Sequence, residues 1–201
     1  MRPRLLMLAV PMTIAVMIVA LMTVALAPRP ALASQFVVFP KAGELVSPDG
    51  RYVVHNAERE GSASDFIGTF HSLWLTEQAT GRSRKLCDYL GVAAVAWSRN
   101  DFVIVTQYSK KTSQALVFSV AGSQDPVLLD KPTLTHMLPA EFRPALREND
   151  HVFVEASRVE KETLYLTVWG YGQHDASGFR WRCQYDLREG AIACGDERSK
   201  Q

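Results

Sequence analysis

Ser47-Pro48-Asp49-Gly50-Arg51-Tyr52-Val53-Val54 is the stretch on which the fold class turns. Proline suits the second position of a tight turn, and Asp-Gly suits its end. The Tyr-Val-Val run behind it has the aromatic and β-branched composition of a strand. Leu73-Trp74-Leu75-Thr76-Glu77-Gln78-Ala79-Thr80-Gly81 then reads as another strand and another turn. Weaker copies stand at Ser98-Arg99-Asn100-Asp101-Phe102-Val103-Ile104-Val105 and at Glu148-Asn149-Asp150-His151-Val152-Phe153-Val154. Phe102 lies 50 residues after Tyr52, and His151 lies 49 after Phe102. A period near fifty made of short strands predicts a repeating β-meander.

Working outward from that stretch, Phe36-Val37-Val38-Phe39 is a short apolar strand stopped by Pro40. Glu58 to Thr69 is a polar, glycine-bearing loop, either a functional excursion or a tolerated surface insertion. Arg84 to Cys87 begins a further strand. Val92–Trp97, Phe102–Tyr108, Gln114–Val120 and Val127–Asp130 read as four short strands joined by turns. Pro132, Pro139 and Pro144 break the rhythm, so 131–147 reads as an irregular crossover with room for a helical turn at 140–147. His151–Val159 and Thr163–Gly170 flank the charged turn Glu160-Lys161-Glu162. Phe179, Trp181, Cys183 and Tyr185 alternate with Arg180, Arg182, Gln184 and Asp186, the period of a sheet with one wet face.

The N-terminus is set apart from this pattern. Arg2 and Arg4 precede an uncharged run from Leu5 to Ala27, and Ala31-Leu32-Ala33 precedes Ser34. This is the pattern of a signal peptide over 1–33 cleaved before Ser34. The run is also long enough to span a bilayer, so an uncleaved inner-membrane anchor is the alternative. Either way the remainder is exported, as a single β domain over 34–201. The whole chain carries 22 Lys and Arg against 21 Asp and Glu; without Arg2, Arg4 and Arg29 the balance is 19 against 21, or −2. No basic block argues for nucleic acid or for an electrostatic membrane surface. No Asn-x-Ser/Thr sequon is present, which fits a bacterial envelope protein.

Three cysteines remain after such cleavage. If Asp186 faces Ala191 across the loop Leu187-Arg188-Glu189-Gly190, Cys183 falls directly opposite Cys194. A non-hydrogen-bonded cross-strand pair has the short separation a disulfide needs, and export supplies the oxidising compartment. Cys87 is then left unpaired, a small buried hydrophobe rather than a nucleophile.

These readings give a mostly β protein. It is an antiparallel meander of about three four-stranded units over 35–90, 91–130 and 148–195, arranged as an open propeller-like sheet or a β-sandwich. The Ser47-Pro48-Asp49-Gly50 turn, with Leu73-Trp74-Leu75 and Thr80-Gly81, resembles the WD40-like repeat of TolB-type β-propellers. The match is strongest in 45–86, and Ser98-Arg99-Asn100-Asp101 lacks its Pro and Gly. The resemblance implies periplasmic scaffolding and protein contact. Such propellers have six or more blades, so three units make an open stack, a sandwich or part of an oligomeric ring.

No motif carries chemistry. His55, His71, His136, His151 and His174 lack metal-ligand spacing, and no cofactor or metal is expected. His174-Asp175 has no nucleophile motif beside it. The aromatic C-terminal region offers the binding candidates: Trp169, Tyr171, His174 and Asp175, around the loop 171–178. The expected function is that of a non-catalytic periplasmic or secreted module, an accessory or inhibitor that binds a protein partner in the envelope. The alternative is a glycan or small-molecule module using the aromatic end, and a hydrolase of an unrecognised type stands last.

Overall fold

The computed structural model describes residues 35–58, 70–122, 125–172 and 177–196. The chain divides into Met1–Leu32 and Ala33–Gln201, and the described residues all belong to the second unit. The signal-like segment 1–33 and residues 173–176, with His174 and Asp175, lie outside them.

Thirteen strands dominate the described residues. They are β1 (Val37–Phe39), β2 (Glu44–Val46), β3 (Tyr52–Glu58), β4 (Phe70–Glu77), β5 (Ser83–Leu90), β6 (Ala93–Ser98), β7 (Phe102–Tyr108), β8 (Ser113–Ser119), β9 (Val127–Leu129), β10 (His151–Glu160), β11 (Thr163–Tyr171), β12 (Phe179–Asp186) and β13 (Ile192–Asp196). The turn that opens the motif is closed by its own side chains. Ser47 Oγ donates to Asp49 Oδ1 at 2.7 Å and accepts the Tyr52 N–H at 3.0 Å. Asp49 Oδ1 also accepts the Arg51 N–H at 3.1 Å. Gly50 takes φ 74°, where a side chain would be strained.

The mostly β prediction holds, and the sheets do not close into a ring. β2-β3-β4-β5 form one antiparallel sheet. The other is nine-stranded, in the order β1-β6-β7-β8-β10-β11-β12-β13 with β9 also on β8. β1 thus pairs with β6 and not with the strands that follow it. The β8 edge is shared: residues 115–117 pair with β9, while Ser113 meets Phe153 of β10 in a parallel bridge. Buried hydroxyls reinforce that joint. Ser113 Oγ donates to the Val154 carbonyl, and Thr106 Oγ1 accepts the Ala156 N–H.

Both faces of β6–β8 are covered, which is why every residue of β6 is buried. One face gives Val95, Trp97, Val103 and Phe118 to a core shared with Val54, Leu73 and Leu75 of the small sheet. The other gives Ala96, Ile104 and Val117 to a core shared with the inward rows of β10–β12. In β12, Phe179, Trp181, Cys183 and Tyr185 are buried while Arg180, Arg182 and Gln184 are exposed, as the alternation predicts.

Two expectations are corrected in part. The helical turn expected at 140–147 is present, as a 3-10 turn at Ala140–Phe142 and helix α2 (Arg143–Glu148), but the stretch before it, read as irregular, holds helix α1 (Lys131–Met137). Pro132 and Pro144 sit in the first turns, where no N–H is needed, so they start helices instead of excluding them. Asp130 caps α1 through the Thr133 N–H, and Leu134, Leu138 and Leu146 are buried in the core. The third copy of the turn is also displaced. The Ser47 and Ser98 turns lead from the first to the second strand of their groups, whereas Asp150 leads into the first strand, β10. The true counterpart is the Lys161-Glu162 loop, because the helical insertion moves the third turn along the chain.

These three turns lie in series at one end of the molecule. The Asp49 N–H donates to Asn100 Oδ1 at 3.1 Å, and Ser98 Oγ donates to the Lys161 carbonyl at 2.5 Å. Arg188, in the β12–β13 turn, spans Asp101 at 3.2 Å and Glu162 at 2.6 Å. That turn forms as the sequence predicts: the Asp186 N–H bonds the Ala191 carbonyl at 2.8 Å, and Cys183 pairs with Cys194 in a disulfide with Cα atoms 4.1 Å apart.

Candidate functional site

β10, β11 and β12 bury one face in the core, so their other side chains form an outward face. Trp169 and Tyr171 stand on it, on alternate positions of β11. Two residues outside the expected set join them. Phe153 is the cross-strand partner of Trp169, and His151 is the partner of Tyr171. The Phe153 and Trp169 rings stack at 4.0 Å with planes 10° apart. Tyr171 stacks more loosely, 6.2 Å from Trp169 and 6.1 Å from Phe153, and His151 lies 4.9 Å from it. Phe153, Trp169 and His151 are half-buried, while Tyr171 is 44% exposed.

Register explains why Phe153 was not legible. Counted back from the Glu160↔Thr163 pair without interruption, Trp169 would face Val154, a core residue. A bulge between Ala156 and Arg158 shifts the ladder by one and puts Phe153 opposite Trp169 instead. The aromatic spacing within β11 is readable from sequence; the bulge is not.

Charge flanks the rings. Arg180 is the cross-strand partner of Trp169, and Arg182 that of Thr167. Arg158 lies over the Tyr165 ring at 4.1 Å and pairs with Glu160 at 3.2 Å. The face therefore combines stacked aromatics, guanidinium groups and carboxylates on rigid strands, a composition suited to contact with another macromolecule.

Among the described residues of the small sheet, the buried polar groups pair with one another. His71 is buried, stacks on Tyr89 at 5.1 Å, and has Asn56 Nδ2 3.5 Å from its Nδ1. The Tyr89 hydroxyl donates to Asn56 Oδ1 at 2.6 Å, and burial pushes its ionisation upward. Burial likewise pushes the Cys87 thiol up to about 11, so it is protonated at neutral pH and a poor nucleophile. Among the described residues, no cluster of His, Cys, Asp and Glu could hold a metal ion. His174 and Asp175 lie outside the described residues, so of the expected set the structure places Trp169 and Tyr171 together.

Among the described residues no helix is long and apolar enough to cross a membrane. The disulfide belongs to a domain kept outside the reducing cytoplasm. No model of a known protein family matches the chain, and no curated protein matches it significantly.

Proposed function

We propose that this chain is an exported, non-catalytic envelope module that binds a protein partner through the outward face of β10–β12, as an accessory or inhibitor of that partner. Its frame is read as an open, propeller-like stack of three four-stranded groups, in the periplasm of a bacterium. The observation that carries the reading is the Phe153–Trp169–Tyr171 cluster, held on a sheet and left partly uncovered. Aromatic residues with arginine at their side are the groups enriched where proteins dock.

The geometry favours protein over glycan. A sugar needs an open ring face to lie against. Phe153 and Trp169 each use one face on the other, and strands flank them on both sides.

The test is capture from the cell envelope. The full chain, expressed with its own N-terminal segment, is compared with the Tyr171→Arg variant. A saturable partner held by the first and lost by the second is the expected result, with an intact mass beginning at Ser34. Equal capture by both, or no partner alongside a glycan that raises Tm, would overturn the reading.

A further inference from the structure

We infer that β13 is a docking edge: it takes up, as an added antiparallel strand, an extended segment of a partner protein that carries apolar residues at alternate positions. This contact is separate from the outward face of β10–β12 and does not depend on it.

The fold treats this edge differently from the others. Among the described residues, the two sheets end at β1, β13, β2 and β5. A free edge is a template for another strand unless it is short, charged, bulged or covered. β1, β2 and the side strand β9 have three residues each. β5 has a bulge at Leu86, because Leu73 and Trp74 pair with Cys87 and Lys85, and its Asp88 carbonyl accepts from Gln107 Nε2 at 2.9 Å. β13 has none of these. It pairs with β12 in unbroken register from Ile192↔Tyr185 to Asp196↔Trp181, and Ile192 to Gly195 include no charge and no proline.

The ladder fixes which backbone groups face out. The Asp186 N–H bonds the Ala191 carbonyl, and Cys183 and Cys194 stand at the close Cα spacing of a non-hydrogen-bonded pair. Ala193 and Gly195 therefore bond to β12, while Ile192 and Cys194 direct their N–H and C=O groups away from it. Such groups recognise backbone, so the occupant is a peptide strand.

The side chains specify what that strand carries. Ile192 and Cys194 pack against the margin of the larger core and stay partly exposed. Residues bonded to them on an added strand lie on the same face, so two apolar residues two positions apart would extend that core. On the other face Ala193 is small, and the space where a Gly195 Cβ would stand is open, which leaves room for bulky neighbours. Two nearer occupants fit poorly. The tail Glu197-Arg198-Ser199-Lys200-Gln201 has no apolar residue to offer. A second β13, paired antiparallel through the same groups, either sets the acidic Asp196 against Ile192, Cys194 or its own copy, or spans no more than Ile192 and Cys194.

NMR on the exported chain tests the edge. The probe is the peptide Lys-Val-Thr-Val-Thr-Val-Lys, with Lys-Ser-Thr-Ser-Thr-Ser-Lys as control. The expected result is saturable binding of the first alone. The Ile192 and Cys194 amides should be open to exchange in the free chain and protected in the complex, and those of Ala193 and Gly195 protected in both. Ile192→Lys should weaken binding about tenfold, through loss of an apolar contact, and leave the Ala193 amide protected. No binding at about 1 mM peptide, or binding with no gain at the Ile192 and Cys194 amides, overturns the docking edge. Protection of those two amides in the free monomeric chain means that the chain covers its own edge, and overturns it as well. Protection that grows with chain concentration, together with a dimer mass, makes a second copy the occupant and overturns the partner strand.

Discussion

Trp169 lies flat against Phe153 across the β10–β11 ladder, ring centroids 4.0 Å apart and planes 10° from parallel. The pair is held by a one-residue bulge, so it joins backbone register to surface chemistry. Trp169→Ala removes the stacking, worth about 0.5–1.5 kcal/mol, and uncovers part of Phe153. Urea denaturation should register a loss of about 1–2 kcal/mol, with partner capture abolished. Trp169→Phe should restore both largely. A Trp169→Ala protein that keeps full stability and full capture would remove this pair from the account.

The Cys183–Cys194 bridge closes the C-terminal hairpin at a sequence separation of 11. Loop-closure entropy gives it about 2–3 kcal/mol, because the unfolded chain loses freedom while the native strands already sit in register. Replacing both cysteines by Ser should lower stability by about that amount. The unreduced native chain should titrate a single thiol after unfolding, that of Cys87.

Cys87 supplies a pH dependence. Its thiol is pushed from 9.0 up to about 11 by burial, with a smaller opposing effect of the Gln107 hydrogen bond. The native state thus binds a proton that the unfolded state releases sooner. This contribution to stability is intact below about pH 9 and is lost as pH rises from about 9 to 11. Cys87→Ala should flatten that part of the stability curve. Alkylation of the native protein at neutral pH should be slow and should follow unfolding.

Gly178 tests the close packing at the mouth of the site. It takes φ 59°, and a Cβ there would overlap the Gly170 carbonyl oxygen. Gly170 is itself crowded: a Cβ would stand 2.7 Å from both the His151 carbonyl and the Phe179 ring. Gly178→Ala should cost about 2–4 kcal/mol by forcing backbone apart at the β11–β12 connection. Its signature would be weakened partner capture together with lowered Tm. A surface change such as Glu189→Ala should alter neither.

How much of this was legible in the sequence varies with the range of the physical cause. The first turn, the alternation of β12 and the Cys183–Cys194 register depend on neighbours within a dozen residues, and the sequence carries them plainly. The α1 helix is obscured by Pro132, which reads as a breaker in the sequence although a first-turn proline costs a helix nothing. Phe153 is obscured by the bulge between Ala156 and Arg158, beside which the Ala156 N–H bonds Thr106 Oγ1, 50 residues away in the chain. The pairing of β1 with β6 is a contact of the same long-range kind. Trp169 and Tyr171 were within reach because aromatic residues on alternate positions of a strand share a face in any register.

The opening turn makes a prediction at the acid end of the pH range. Asp49 is held down to about 2 from 3.8, first by the hydrogen bond from Ser47 Oγ and then by that from Arg51. Its ionised form is therefore favoured in the folded turn relative to the unfolded chain. The sign follows: the turn is reinforced above about pH 4, and that reinforcement disappears as pH falls from about 4 to 2. The carboxylate also fixes the Arg51 N–H, while the Asp49 N–H reaches Asn100 in the next turn, so loosening should spread along the series. Protection of the Arg51 and Asp101 amides, measured against their intrinsic exchange rates, should fall over that interval, and in Asp49→Ala it should be low at every pH. An Asp49 carboxyl that titrates near 3.8 by NMR, with Arg51 exchange flat through the acid range, would mean that the Pro48-Gly50 backbone shapes this turn by itself.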